Sequence, residues 1–382
     1  MTVLFLNSSS DRYGSSRILI EVVTVYKNAG VTPVVVLPEP GPLQLHLQEL
    51  KVDVRIQNLG ILRRKYVNPL GVVNRIGKNF KAYRFLDKLH REFDFKLVYS
   101  NTLAVVVGAQ WAKWHRLPHI WHIHEILLGP PPLVGLLRKL LDSTTPSPIV
   151  VSNAVKRHWE GRLQYSKPRV IHNGIPYREF LEAKRIPAQE LGIAENKVVI
   201  TMVGRINPGK GQLFFLEMAK QISLTYPQCH FLLVGDPYPG YENLEEEINE
   251  FILQNRLENC VTNLGFREDI AGILTTTDVF VLPSILPDSL PTVILEAMAA
   301  ACPVVATHSG GASEMILEGE TGYLFPINNL EKGVNALIKL ILSQELRVKF
   351  GSAGRNRVLK EFSLDSFKEN IENHLWQQLR RN

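Results

Sequence analysis

Short β-branched apolar runs alternate along this chain with longer stretches whose apolar residues recur at helical spacing. In the first half, residues 3–6, 33–37, 52–56, 96–99, 119–122, 149–151 and 170–171 read as strands, most of them separated by helical segments. The same rhythm restarts at 198–203, 231–234, 261–264, 279–282 and 304–306. Such alternation implies parallel sheets with crossover helices, so two doubly wound α/β domains facing across a cleft are expected. The stretch 182–197 lies between the two series and contains Pro187 and Gly192, which marks it as the linker. Near the end of the chain Ser363 is a candidate N-cap. Leu364, Phe367, Ile371, Leu375 and Leu379 follow at the spacing of an amphipathic helix.

Composition narrows the class. The 382 residues suit two domains of ~150–200 residues each. With 45% apolar and 21% charged residues the chain is unlike disordered, collagen-like or coiled-coil sequences. Three widely spaced cysteines, Cys229, Cys260 and Cys302, argue against a disulfide framework or a cysteine metal site and favour a reducing compartment. Residues 1–7 are apolar but lack a basic flank and run into Ser8-Ser9-Ser10-Asp11, so they read as a first strand rather than a signal peptide. No apolar run reaches the ~20 residues of a membrane span. The longest, 126–141, is broken by a Gly-Pro-Pro-Pro stretch at 129–132 and carries Arg138 and Lys139. A cytoplasmic protein, at most peripheral at the cytoplasmic membrane face, is the expectation.

The net charge of +6 is unevenly spread. Between residues 55 and 91 stand Arg55, Arg63, Arg64, Lys65, Arg75, Lys78, Lys81, Arg84, Lys88 and Arg91, against the one acid Asp87. Ile76, Phe80, Tyr83, Leu86 and Leu89 recur there at helical spacing. Two readings stand side by side: an anionic membrane surface or phosphate-bearing lipid as partner of residues 55–91, or a core-facing stripe with a solvated cationic face. A basic stripe is also a footprint for nucleic acid. That reading leaves the motifs below unexplained, and no nucleic-acid partner is expected.

Four segments carry candidate chemistry. The small-residue turn around Gly14, between the first strand and its helix, offers backbone N–H groups to an anion, though it matches no dinucleotide or phosphate-loop fingerprint. His119, His122, His124 and Glu125 end a strand. His122 and His124 share one face and His119 lies on the other, which disfavours a metal site, while His124 falls where ligands of open α/β sheets gather. Gly204-Arg205 and Gly209-Lys210-Gly211 place two cations in a glycine-containing loop after a strand, suited to a diphosphate. Asp288 and Glu296 are eight positions apart around a helix start and are followed by Gly310-Gly311-x-x-Glu314, so two carboxylates can bracket a polyhydroxylated ligand while the helix N-terminus meets phosphate.

Together these segments resemble the retaining group 1 glycosyltransferases of GT-B fold, whose E-x7-E pattern appears here as Asp288-x7-Glu296. The small-residue loop, the His124 strand end, Val170-Ile171-His172-Asn173-Gly174, Arg205, Gly209-Lys210, Gly265-Phe266 and the Gly310-Gly311 run occur in family order. The resemblance implies an acceptor-binding domain over 1–185, a nucleotide-sugar-binding domain over 186–362 and a helix, 363–382, packing back on the first. It implies Glu296 on the donor ribose, Arg205 and Lys210 on the diphosphate, and the backbone at Leu290, Pro291 and Thr292 on the distal phosphate. Phe266 and Arg267 would lie against the base, His124 near the transferred sugar, and Gly14 beside the reaction centre. Asp288 replaces the usual first glutamate, and Ser289-Leu290-Pro291 replaces the glycine after it. No D-x-D spacing occurs, so cationic side chains and helix dipoles are expected to stabilise the leaving diphosphate without metal or cofactor. The function so implied is transfer of a sugar from a nucleoside-diphosphate sugar to a saccharide or lipid-linked acceptor, with retention, in cell-surface polysaccharide or glycolipid synthesis. The alternatives are a nucleotide-sugar epimerase and a non-catalytic sugar-nucleotide binder of the same fold.

Overall fold

The computed structural model describes residues 1–12, 14–62 and 69–380. Its contacts divide the chain into two units, one of residues 1–174 with 365–382 and one of residues 175–364.

In the first unit seven strands form one parallel sheet: β1 (Thr2–Leu6), β2 (Thr32–Leu37), β3 (Asp53–Ile56), β4 (Phe95–Asn101), β5 (His119–Ile123), β6 (Ile149–Val150) and β7 (Arg169–Val170), in the order β3-β2-β1-β4-β5-β6-β7. The order reverses between β1 and β4, so the crevice at their carboxyl ends is a topological switch point. Leu4, Leu6, Val34, Val36, Val98 and Trp111 are among the fully buried core residues. Their near-continuous apolar runs reflect strands covered on both faces. The helix Leu364–Leu379 belongs to this unit. It buries Phe367, Ile371 and Leu375, His374 Nε2 lies 2.9 Å from the Ser147 carbonyl, and Lys368 lies 3.4 Å from Glu21.

The second unit holds β8 (Val198–Val203), β9 (Cys229–Val234), β10 (Val261–Gly265), β11 (Val279–Leu282), β12 (Val304–Thr307) and β13 (Gly322–Phe325), in the order β10-β9-β8-β11-β12-β13. All pairings are parallel and the switch point lies between β8 and β11. Strand β13 is a short run opening on glycine that the apolar pattern missed. Gly322 is required there because a Cβ would stand 2.0 Å from the Val304 carbonyl oxygen. The division between units falls at Gly174/Ile175, before the 182–197 stretch, because that stretch is tied to the second unit. Ile186 N donates to Thr276 Oγ1 at 2.9 Å, and the Arg185 guanidinium reaches the Thr276 carbonyl.

The basic stretch 55–91 is only partly a solvent-facing row. Arg63, Arg64, Lys65 and the side chain of Ile76 lie outside the described residues. Arg55 is held by Asp53 and Glu92, and Arg75 is buried beside Asn74. Lys81, Arg84, Lys88 and Arg91 are exposed on the helix Pro69–Phe93. Phe80, expected in the core-facing stripe, is instead 59% exposed with Arg84 over its ring, while Ala82, Leu86 and Leu89 face the core.

Candidate functional site

The second unit gathers its candidate residues around the switch point between β8 and β11. The loop after β8 carries Arg205 and Lys210, and the loop after β11 carries Asp288. The two loops are tied together: the Gly209 carbonyl accepts from Ile285 N at 2.9 Å and from Leu286 N at 3.2 Å. Gly211 caps the following helix with φ +83°, and a Cβ there would meet the Pro283 carbonyl oxygen at 2.1 Å, so only glycine allows this approach. The consequence is an ion pair in which Lys210 Nζ donates to Asp288 Oδ2. Arg205 lies 3.9 Å from Asp236 and 5.4 Å from the Tyr238 ring centroid, both residues of the segment after β9. Sequence reasoning passed over Asp236 and Tyr238. Their position just beyond the carboxyl end of a parallel strand, after Gly235, is the signal that would have found them.

The Asp288 loop is fixed from the other side by Gly310-Gly311. Gly311 N donates to the Asp288 carbonyl at 2.8 Å, and a Cβ on Gly310 or Gly311 would stand 1.9 Å or 2.3 Å from the Asp288 or Ser289 carbonyl oxygen. Pro291 starts the helix Thr292–Ala299 without a side-chain cap. Its first-turn N–H groups and positive dipole end sit between Asp288 and Glu296. Leu290 is buried and Glu296 is 8% exposed, a carboxylate in an otherwise apolar helix. Phe266, after β10, is 53% exposed, and Arg267 beside it forks onto Asp269. The structure therefore brings Arg205, Lys210, Asp288 and the Leu290–Pro291–Thr292 backbone into linked loops of one unit.

In the first unit the switch point between β1 and β4 carries a polar network. Asn101, ending β4, donates from Nδ2 to Asn7 Oδ1 at 2.8 Å and to the Ser15 carbonyl at 3.0 Å, just past Gly14, which has φ +44°. That fixes the amide, so Asn101 Oδ1 accepts from His124 Nε2 at 2.9 Å and the imidazole carries its proton on Nε2. Burial holds the His124 pKa down to about 3, so the ring is neutral. His122 and His124 share a face, as their spacing implies, with ring centroids 4.0 Å apart; His122 Nδ1 lies 2.7 Å from Tyr99 Oη. His119, on the other face, lies between Thr145 and Ser100 hydroxyls at 2.6 and 2.9 Å. Glu125, beside His124, accepts from Leu103 N at 3.3 Å and His124 N at 3.0 Å, and burial pushes its pKa up to about 7. Among the described residues, no group of three or more His, Cys, Asp or Glu side chains is arranged to hold a metal ion. No described helix is long and apolar enough to cross a membrane.

Residues 184–357 match the family described as "Glycosyl transferases group 1" and residues 13–179 the family described as "Glycosyltransferase Family 4". The chain is 31% identical over 203 residues to the UDP-Gal:alpha-D-GlcNAc-diphosphoundecaprenol alpha-1,3-galactosyltransferase of Escherichia coli, covering 52% of this chain and 51% of that protein. It is 28% identical over 235 residues to the lipopolysaccharide 1,2-N-acetylglucosaminetransferase of Salmonella typhimurium, covering 59% of this chain and 61% of that protein. The matched stretch thus spans between half and two thirds of these curated relatives. Among solved structures, Anabaena HepE in complex with UDP is 26% identical, with a TM-score of 0.83 over 99% of this chain and 100% of that one. The same protein in complex with UDP-glucose superposes with a TM-score of 0.84 at 25% identity, over 99% and 100% of the two chains.

Proposed function

This chain belongs to the group 1 glycosyltransferases and has the two-domain α/β GT-B fold, and we propose on that basis that it moves a hexose from a UDP-sugar to a lipid-linked or saccharide acceptor, with retention of configuration. The observation that carries this reading is the linked pair of loops at the second unit's switch point, which hold two cations and Asp288 just before the start of the helix that bears Glu296. The UDP and UDP-glucose complexes of HepE support the donor class. The diphosphoundecaprenol-linked and lipopolysaccharide substrates named for the relatives support the acceptor class and a place in cell-surface glycan assembly.

On this proposal Glu296 holds the ribose hydroxyls, Phe266 and Arg267 lie along the base, and the first turn of Thr292–Ala299 meets the distal phosphate. Arg205 forks onto the diphosphate and Lys210 adds a point charge, so negative charge developing as the glycosidic C–O bond breaks is met by fixed cations without a metal ion. An acceptor hydroxyl then bonds to the anomeric carbon on the face the diphosphate leaves, and its proton passes to the departing phosphate oxygen. His124, neutral and proton-bearing at Nε2, is a positioning group held by Asn101 rather than an acid. The exposed cations Lys81, Arg84, Lys88 and Arg91 support contact with an anionic membrane surface. Calorimetric titration with UDP, GDP and ADP, with and without EDTA, tests the donor site. UDP binding that survives EDTA and weakens in Arg205→Ala is expected; indifference to the nucleotide, or to the loss of Arg205, would contradict the reading.

A further inference from the structure

The first unit contains an unusual juxtaposition beside its polar network. Loops after β3, β4 and β5 enclose a cavity of about 740 Å³, within the usual range for small-molecule sites. Leu62, Leu103, Ile126, Leu127, Leu133 and Leu137 line it, and among the described residues Glu125 is its one ionisable wall residue. A site built for saccharide needs polar side chains to replace the water lost from each hydroxyl, and among the described residues this wall offers almost none. The helix Pro131–Thr144 behind it is rich in leucine, yet only Leu137 and Leu141 are buried; Leu136 is 64% exposed and Leu128, just before the helix, 42%.

A second recess of about 640 Å³ adjoins the first and shares Leu127, Leu128 and Gly129 with it. It too is walled mainly by apolar residues, Pro131, Val134 and Gly135 beside the shared three, but it carries cations as well. Arg138, His158 and Arg162 line it, with no carboxylate among the described residues of its wall. His158 Nε2 is buried without a hydrogen-bond partner, and burial together with Arg162 lowers its pKa. Two adjoining apolar recesses, one of which carries two arginines and a histidine, match one kind of molecule. We propose that the first unit takes an acceptor made of an apolar chain joined to a phosphate, with the chain in the leucine-lined cavity and the phosphate between Arg138, His158 and Arg162. The inference deepens the proposed function and rests on it, since it chooses the lipid-linked acceptor over the free saccharide.

The test titrates the full-length protein, saturated with UDP so that the second unit's phosphate site is filled, with farnesyl diphosphate, farnesol and inorganic diphosphate. Farnesyl diphosphate is expected to bind at least about tenfold tighter than either part alone, a difference of ~1.4 kcal/mol. Leu133→Asn should weaken farnesyl diphosphate and farnesol but not inorganic diphosphate. The double variant Arg138→Ala/Arg162→Ala should weaken both anions but not farnesol. Circular dichroism and a thermal unfolding transition matching those of the unaltered protein confirm that the variants are folded. Equal binding of the three probes, or affinities that neither variant alters, would overturn the proposal while leaving the donor site standing. Failure of UDP to bind the unaltered protein would instead overturn the donor reading, and the variants would still decide the acceptor class.

Discussion

Lys210 and Asp288, 78 positions apart in sequence, form an ion pair, each about a quarter exposed. The pair joins the cation proposed for the leaving diphosphate to the first acid of the E-x7-E-like pattern. A partly exposed pair of this kind is worth only ~0.2–1 kcal/mol, so a diphosphate can compete for the lysine. Lys210→Ala should lower kcat/KM by about 100- to 1,000-fold, the loss typical of one transition-state electrostatic contact. Asp288→Asn should tighten UDP about two- to fivefold, by releasing the lysine from that exposed pair, while lowering turnover. Steady-state kinetics with UDP calorimetry separates the two effects; weaker UDP binding in Asp288→Asn would show that the pair assists binding instead.

Glu125 titrates at about 7 because burial penalises its carboxylate. It lines the apolar cavity and touches the backbone of His124, so its charge bears on whatever occupies that wall. The acceptor KM is expected to change across pH 6–8 by about threefold or more, rising as the carboxylate forms beside an apolar or anionic group. Glu125→Gln should remove that pH dependence and leave the KM for the UDP-sugar unchanged. A profile identical in the two proteins would refute the assignment.

Buried histidines shape the acid limb of stability. Burial keeps His119 neutral with its pKa down to about 3 and His122 well below the ordinary 6.5. The unfolded chain protonates both near pH 6.5 while the fold does not, so stability is lost as pH falls below that value, by up to ~1.4 kcal/mol per pH unit for each ring. Glu125 acts in the opposite sense: its folded pKa of about 7 lies above the ordinary 4.5, so the stability it contributes at low pH is lost as pH rises through that window. Urea unfolding at pH 5 and 7.5 checks the balance. His119→Asn should be less stable at pH 7.5, having lost its bonds to Thr145 and Ser100, yet show a smaller fall at pH 5.

Gly311 has ordinary helical φ, so its requirement is one of space: a Cβ would press on the Ser289 carbonyl oxygen and the Leu290 Cα. Gly311→Ala should displace the Asp288–Pro291 loop at a cost of ~1–3 kcal/mol and weaken UDP about tenfold or more. Thermal unfolding and UDP calorimetry together check this. A variant with unaltered UDP affinity would place the phosphate away from that loop.

Much of the fold was legible because most of its strands are buried on both faces and so apolar along their length; β3, β7 and β10, only half-buried, were still marked by short apolar runs, and twelve of the strands stood out. β13 did not, since four residues beginning with glycine carry too little pattern. Phe80 shows the limit of periodicity: helical spacing assigns a face without knowing how wide the covered stripe is. At the candidate site, Arg205, Lys210, Asp288 and Glu296 were readable from motif spacing. The Lys210–Asp288 pair, the Asn7–Asn101–His124 chain and the Tyr238 contact were not, because they join residues brought together only by parallel crossover topology.

The most direct test of the central claim is proton NMR of the product formed from UDP-glucose, or from UDP-galactose or UDP-N-acetylglucosamine, with a lipid-diphosphate-linked sugar as acceptor. The account predicts release of UDP with formation of an α-linked product, the anomeric configuration of the donor, and loss of both in Lys210→Ala. A β-linked product would contradict retention, and donor conversion without acceptor and without UDP release would replace transfer with epimerisation.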